Sequence, residues 1–388
     1  MVEQLKETER QILYLIACAL QGYVPRAERL GNVELDALYR LAKKHKLRGM
    51  ICMALESGGL LADAEEEERK RWTDAKNKTI RYNLLLDAEK NALFQELRTM
   101  GAWHMPLKGS LLRDMYPKLG MREMADNDIL FDAAYRYQVK DMMLARGYSI
   151  LRFDKDIEDI YEKPPAYNIE MHVRLLDTTN ISKEAVVYFD QIKKRLISDG
   201  DGTFCYHFND EDFFLYFCAH AYKHFFEYGT GLRTLADFYV LNRAKKDTLD
   251  WEYIWTVSRS FGCDEYIRIS LDLTEKLFAD PEADISLTEK ELDYLSQYID
   301  NGAYGSIKNS VRNKIKAVQP DGGDVTTKKK LIYVFKRIFI DREFCRDRYP
   351  FVFRHPYLLP FLWVFRIVRG ALFRGKRLIS EWKMMKDV

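Results

Sequence analysis

The chain has 388 residues, 47% of them hydrophobic and 31% charged, with a net charge of +2. That length exceeds what one core usually supports, and the composition excludes a disordered or fibrous chain while arguing neither for nor against a polyanionic partner. Six cysteines without a C-x-x-C pair, most of them inside apolar helical runs, read as small buried thiols of a reduced, cytoplasmic protein.

The first segment, MVEQLKETERQ, lacks the basic-then-apolar order of a signal peptide. Residues 5–98 read as helix, because QILYLIACAL, LDALYRLAKKHKLRGMICMAL and the long run that ends at Gly101 carry apolar residues at i, i+3, i+4 and i+7. The acidic run Glu65 to Glu68 ahead of Lys70 and Arg71 fits a solvated helix face. The period then changes. HMPLKG, ADNDILF, residues 149–153 and residues 168–175 are strand-like, with LLRDMY and AAYRYQVKDMMLARGY helical between them and Pro164-Pro165 marking a loop. From Asn209, a plausible N-cap followed by Asp210, Glu211 and Asp212, the pattern returns to helix. VQPDGGDVTT, from Val318 to Thr327, reads as a flexible loop. The expected class is α+β, a small mixed sheet between helical regions, divided as 1–98, 99–204 and 205–388.

The segment LKGSLLRDMYPKLGMREMADND, from Leu107 to Asp128, concentrates the chemistry. On a strand, Asp126 and Asp128 project from one face, where they repel unless cations intervene. The Gly109-Ser110 turn opens a helix whose backbone N–H groups suit phosphate. Together these parts describe a site for Mg²⁺ and a nucleoside triphosphate. In YNIEMHVRL the polar residues Glu170, His172 and Arg174 alternate with apolar ones, so one face is polar and the other packs. Beside the Asp126/Asp128 strand, Glu170 completes three carboxylates for two Mg²⁺ ions, with Mn²⁺ as an alternative. There it binds the metal nearest the acceptor hydroxyl and helps remove its proton. Glu170 also fits the solvent face of an edge strand.

Lys108 and Arg122 flank the motif as cations for the triphosphate, and a surface role fits Lys108 equally well. His220 and His224 have the i, i+4 spacing of a zinc pair, but no third ligand accompanies them, and this helix face fits a cleft wall better. Asp237 interrupts an apolar helix and needs a partner, for which Arg233 at i−4 is the local candidate. It reads as structural first and cleft-lining second.

These segments resemble an uncharacterised bacterial nucleotidyltransferase family of the polymerase-β-like superfamily, with its Lys-Gly turn, Tyr-Pro helix end, Arg, Asp-x-Asp strand and later strand carrying an acidic residue two before a His. The resemblance implies a nucleotidyltransferase core, Mg²⁺-dependent transfer of a nucleoside monophosphate with release of pyrophosphate, and a cleft between sheet and helices. It puts Gly109 and Ser110 at the phosphates, beside the cations Lys108 and Arg122 read above, and Asp126, Asp128 and Glu170 on the metals. His172, His220, His224 and Asp237 would line the cleft. Asn127 departs from the family's aliphatic residue, Val173 stands where a Trp often follows the His, and the turn has one glycine.

The acceptor class stays open: a small molecule, glycan, peptide precursor or protein. From Lys328 to Val388, 16 Lys/Arg stand against 5 Asp/Glu, with aromatics interleaved. Arginines and prolines in FVFRHPYLLPFLWVFRIVRGALF argue against a span; the first reading is an ordinary helix packing its apolar face with Arg outward, the second a basic aromatic helix on an anionic membrane surface or lipid-linked substrate, and the third a nucleic-acid contact. The rival readings are a catalytically inactive nucleotide-binding module and a helical interaction module at a membrane surface.

Overall fold

A computed structural model describes residues 5–164, 167–177, 181–303, 305, 315, 326–342, 345 and 349–369. Helices α1 (Glu7–Gln21), α2 (Ala27–Leu30), α3 (Leu35–His45), α4 (Arg48–Ser57) and α5 (Glu66–Thr99) come first. The acidic run opens α5, with Glu66, Glu67 and Glu68 in its first turn, where carboxylates complement the helix dipole.

The sheet region runs β1 (His104–Pro106), α6 (Lys108–Arg113), β2 (Asn127–Phe131), α7 (Arg136–Ala145), β3 (Ser149–Arg152), β4 (Glu158–Lys163) and β5 (Tyr167–His172). Its spatial order is β1-β2-β5-β4-β3. Only β2 and β5 are parallel, so the sheet is mixed and the fold is α+β, as expected. Strand β4 has no counterpart in the sequence reading. Its buried positions are Asp159 and Tyr161, and Asp159 is buried because both its oxygens accept from Arg136, at 2.7 and 2.8 Å. A buried carboxylate at an inward position hides the apolar alternation that marks a strand.

One face of the sheet packs Ile129, Phe131, Ile169 and Met171 against Leu93 and Leu97 of α5 and Val139, Met142 and Met143 of α7. Because side chains alternate, this apolar face decides what the other face carries. After α8 (Lys183–Asp190) and the hairpin β6 (Ile197–Ser198) with β7 (Tyr206–His207), the chain continues as α9 (Asp210–Glu227), α10 (Leu232–Lys245), α11 (Trp251–Phe261), α12 (Asp264–Phe278) and α13 (Glu289–Asn301). Asn209 caps α9, its side-chain oxygen accepting from the Asp212 amide at 2.7 Å. Further helices follow, among them α14 (Thr327–Ile338) and α15 (Pro350–Arg354). Most of the expected loop at 318–327 falls outside the described residues, and its last two residues begin α14, with the Thr326 hydroxyl accepting from Lys329 N–H.

The chain packs as two units: Met1–Lys223 with Thr230–Ala303, and His224–Gly229 with Tyr304–Val388. The first unit therefore joins the N-terminal helices, the sheet and the helices through α13. The three-part division from sequence follows changes of periodicity, whereas these units follow packing.

Helix α4 passes close to the turn after α6. Gly120 has φ +93°, and a Cβ on Gly49 would lie 2.2 Å from the Gly120 carbonyl oxygen. Backbone cannot yield there as a side-chain tip can. Gly49→Ala is expected to destabilise the protein by about 1–3 kcal/mol in urea unfolding; a loss within a few tenths would show that the approach is not tight.

Candidate active site

The site grows out of the register of β2 and β5. Asn127 pairs with Ile169, Asp128 with Glu170, Ile129 with Met171 and Leu130 with His172. Since Ile129, Ile169 and Met171 face α5 and α7, Asp128, Glu170 and His172 emerge on the opposite face. Asn127, on the helix-facing side, is 2% exposed and donates through Nδ2 to the Leu86 carbonyl of α5 at 2.7 Å. This departure from the family pattern thus ties the strand to the long helix by a hydrogen bond.

The loop leading into β2 is held by side chains reaching its backbone. Asn83 donates to the Arg122 carbonyl, Tyr82 to the Ala125 carbonyl and Arg233 to the Glu123 carbonyl. The Glu123 carboxylate accepts from the Arg48 amide and guanidinium. On the other side, the Leu107 amide donates to the Asp128 carbonyl, which brings the next residue, Lys108, against the strand. Lys108 has φ +27°, a strained value for a residue with a Cβ. Its Nζ lies 3.5 Å from Asp128 Oδ1.

His172 Nε2 lies 3.0 Å from Asp128 Oδ1 and 3.7 Å from Glu170 Oε2. Asp128, Glu170 and His172 are the only described residues whose side-chain donors gather closely enough to share one metal ion. Asp126 stands just before β2, outside the strand and outside this group. It remains within electrostatic reach: burial, then Asp128 and Glu170, push its carboxyl well above the usual range, against Lys108 and Arg233. Asp128 goes the other way. Burial opposes its ionisation, but Lys108 and the bond with His172 outweigh burial and hold it below the usual range. Burial lowers the His172 pKa, yet its bonds with Asp128 and Glu170 outweigh burial and raise it overall. Lys108 likewise stays charged despite burial, through Asp128 first.

The two arginines exchange their expected places. Arg122 donates through Nε and Nη2 to Asp237 at 2.7 and 3.0 Å, and Tyr116 donates to the same carboxylate at 2.7 Å. Asp237 on α10 faces the loop between α6 and β2 and takes both partners from it. Arg122 is thus a buried strut and not a free cation for phosphate, and Arg233, expected on Asp237, lies instead on the Asp126 side. Ser110 is buried and donates its hydroxyl to the Leu107 carbonyl, leaving the α6 amides rather than the hydroxyl for a ligand. His220 sits on α9 with its ring 6.1 Å from that of Tyr216. His224 begins the second unit.

Sequence reasoning missed Tyr216 and Glu158. Tyr216 is fully buried, its ring 5.8 Å from Lys108 Nζ. Its position four residues before His220, on the same helix face, was the available signal. Glu158 pairs with His172 across β4 and β5, and burial with Glu170 raises its pKa.

Two carboxylates and an imidazole, with a third carboxylate close by, fit a divalent cation: the oxygens suit Mg²⁺, and the imidazole nitrogen also suits Mn²⁺. The model of a family described as uncharacterised nucleotidyltransferase matches residues 31–279, which include the whole site. No curated protein and no solved structure matches the chain.

Raised above its unfolded value, Asp126 keeps a proton that the unfolded chain gives up. It therefore stabilises the fold at low pH, and that contribution fades as pH rises from the ordinary carboxylate range through its raised pKa. In chelator-treated protein, Asp126→Asn is expected to unfold at a higher temperature than the original protein at pH 8, by on the order of 1–3 kcal/mol, with the gap closing toward pH 4. A gap independent of pH would contradict this. Asp237→Asn leaves the Arg122 guanidinium buried without its counter-charge and is expected to cost about 3–5 kcal/mol in denaturant unfolding; a loss below ~1 kcal/mol would rule out the strut.

Proposed function

The chain belongs to the uncharacterised nucleotidyltransferase family, and from that premise we propose that it transfers a nucleoside monophosphate from a nucleoside triphosphate to an acceptor hydroxyl or phosphate, releasing pyrophosphate. The observation that carries this reading is the meeting of Asp128, Glu170 and His172 on one face of β2 and β5, with Asp126 and Lys108 beside them.

Asp126, Asp128 and Glu170 would hold the divalent ions, which neutralise phosphate charge and polarise the phosphorus under attack. Lys108 places a fixed positive charge at the same carboxylates, suited to the triphosphate that joins them. The amides of Gly109 and Ser110 open α6 without acceptors of their own in the helix and face phosphate oxygens. Arg233, beside Asp126, takes the second cationic role that the sequence had given to Arg122. Tyr216, buried with its ring beside Lys108 Nζ, helps to hold that cation in place. Glu170 accepts the proton of the acceptor hydroxyl as that oxygen attacks the α-phosphorus. The bond from the α-phosphorus to the bridging oxygen breaks, and pyrophosphate leaves.

Thermal unfolding with ATP, GTP, CTP and UTP, each with and without Mg²⁺ or Mn²⁺, tests the donor site. A ligand at ~100 times its dissociation constant stabilises by about 2.7 kcal/mol. The expected result is a metal-dependent shift with at least one nucleotide that Asp128→Asn abolishes. No shift with any nucleotide would overturn the reading. A shift without pyrophosphate release across an acceptor panel would reduce the protein to a nucleotide-binding module.

A further inference from the structure

The second unit contains a helical layer with an unusual distribution of apolar side chains. After α15 a short 3₁₀ turn, Pro356–Leu358, leads into a helix over residues 359–369. Leu362 of this helix is buried with Ile340 and Cys345, and Leu359 and Trp363 pack against them. The Trp363 Nε1 donates to the Ile340 carbonyl at 2.9 Å, which fixes the rotation of the helix. Its inward face is therefore made by residues 359, 362 and 363.

The outward face is apolar too. Phe361, Val364, Phe365 and Val368 follow the i, i+3, i+4, i+7 spacing of one helical stripe, and all are exposed, Phe361 to 73%. Phe351 and Tyr357, just ahead of the helix, are 67% and 69% exposed. A helix apolar on two faces has one face left to bury. Exposed arginines, Arg354 and Arg369, bracket the patch. The surrounding sequence from Lys328 onward is strongly basic, 16 Lys/Arg against 5 Asp/Glu. No helix among the described residues is long and apolar enough to cross a membrane.

We propose that this face docks on an anionic phospholipid surface, with the aromatic stripe in the headgroup–acyl boundary and Arg354 and Arg369 on lipid phosphates. Charge complementarity selects this occupant. Aromatic and aliphatic side chains in a helical stripe, with arginines at its ends and a basic flank, match an interfacial helix attracted by a negative surface. A protein partner for so basic a patch needs an acidic apolar groove of matching shape, whereas an anionic bilayer offers both properties over any area. The proposal is independent of the nucleotidyl-transfer reading, since it uses no residue of that site.

The test is flotation of the full chain with vesicles of phosphatidylcholine, alone and mixed with phosphatidylglycerol, at low and high salt. Binding is expected on the mixed vesicles only and to weaken with salt. Phe361→Ser/Phe365→Ser and Arg354→Glu/Arg369→Glu are each expected to reduce partitioning by roughly tenfold or more. Both pairs are exposed, so thermal unfolding should be unchanged and identifies any variant that fails to fold. Absence of binding to mixed vesicles, or binding that survives both double substitutions, would overturn the proposal. So would a self-association lost in Phe361→Ser/Phe365→Ser without vesicle binding, which would make the face an interface between copies.

Discussion

Asp128 and Glu170 face each other across parallel strands, on the side of the sheet away from its apolar core. That pairing is forced. The opposite face is filled by Ile129, Phe131, Ile169 and Met171, and a slip of one residue in either strand would turn a carboxylate into the core beneath α5 and α7. Like charges held at adjacent positions in a poorly hydrated site need compensation, and the protein supplies it from Lys108 and from the hydrogen bond between Asp128 and His172. Asp126 finds less compensation and keeps a proton instead. Carboxylates that repel one another at close range are relieved when a metal ion comes between them.

The remainder of the first unit keeps this arrangement in place. Helix α5 reaches the loop before β2 through Tyr82 and Asn83 and receives Asn127 on its Leu86 carbonyl. Helix α10 contributes Asp237 to Arg122 and Tyr116, and helix α4 contributes Arg48 to Glu123. Most of these contacts end on backbone carbonyls or on buried ion pairs, which resist displacement more than exposed side-chain pairs do. The strained backbone of Lys108 persists within this frame, its Nζ against Asp128 on one side and the Leu107 amide bonded to the same residue's carbonyl on the other.

Local pattern made much of this legible. The i, i+2 alternation in YNIEMHVRL placed Glu170 and His172 on one face, and the same rule put Asp128 opposite its neighbours. Asp126 lies one residue ahead of β2, where the alternation alone does not set the side chain's direction. Strand β4 escaped notice because an arginine from α7 neutralises its inward Asp159, a tertiary fact that composition does not carry. The exchange of Arg122 and Arg233 is of the same kind: both lie within plausible reach of Asp237, and only the course of the loop over α10 decides between them. Asn127 read as an oddity of the motif, and its meaning appeared once α5 was seen to present a carbonyl to it.

The central claim is that the carboxylates of β2 and β5 hold a divalent ion together with a nucleoside triphosphate. Crystals grown with Mn²⁺ and a triphosphate whose α,β-bridge cannot be cleaved would test it through the anomalous signal of manganese. The account predicts a peak bonded to Asp128 and Glu170, with the triphosphate oxygens completing the coordination and the phosphates reaching Lys108. Manganese absent from these residues, or a nucleotide bound elsewhere on the protein, would contradict it.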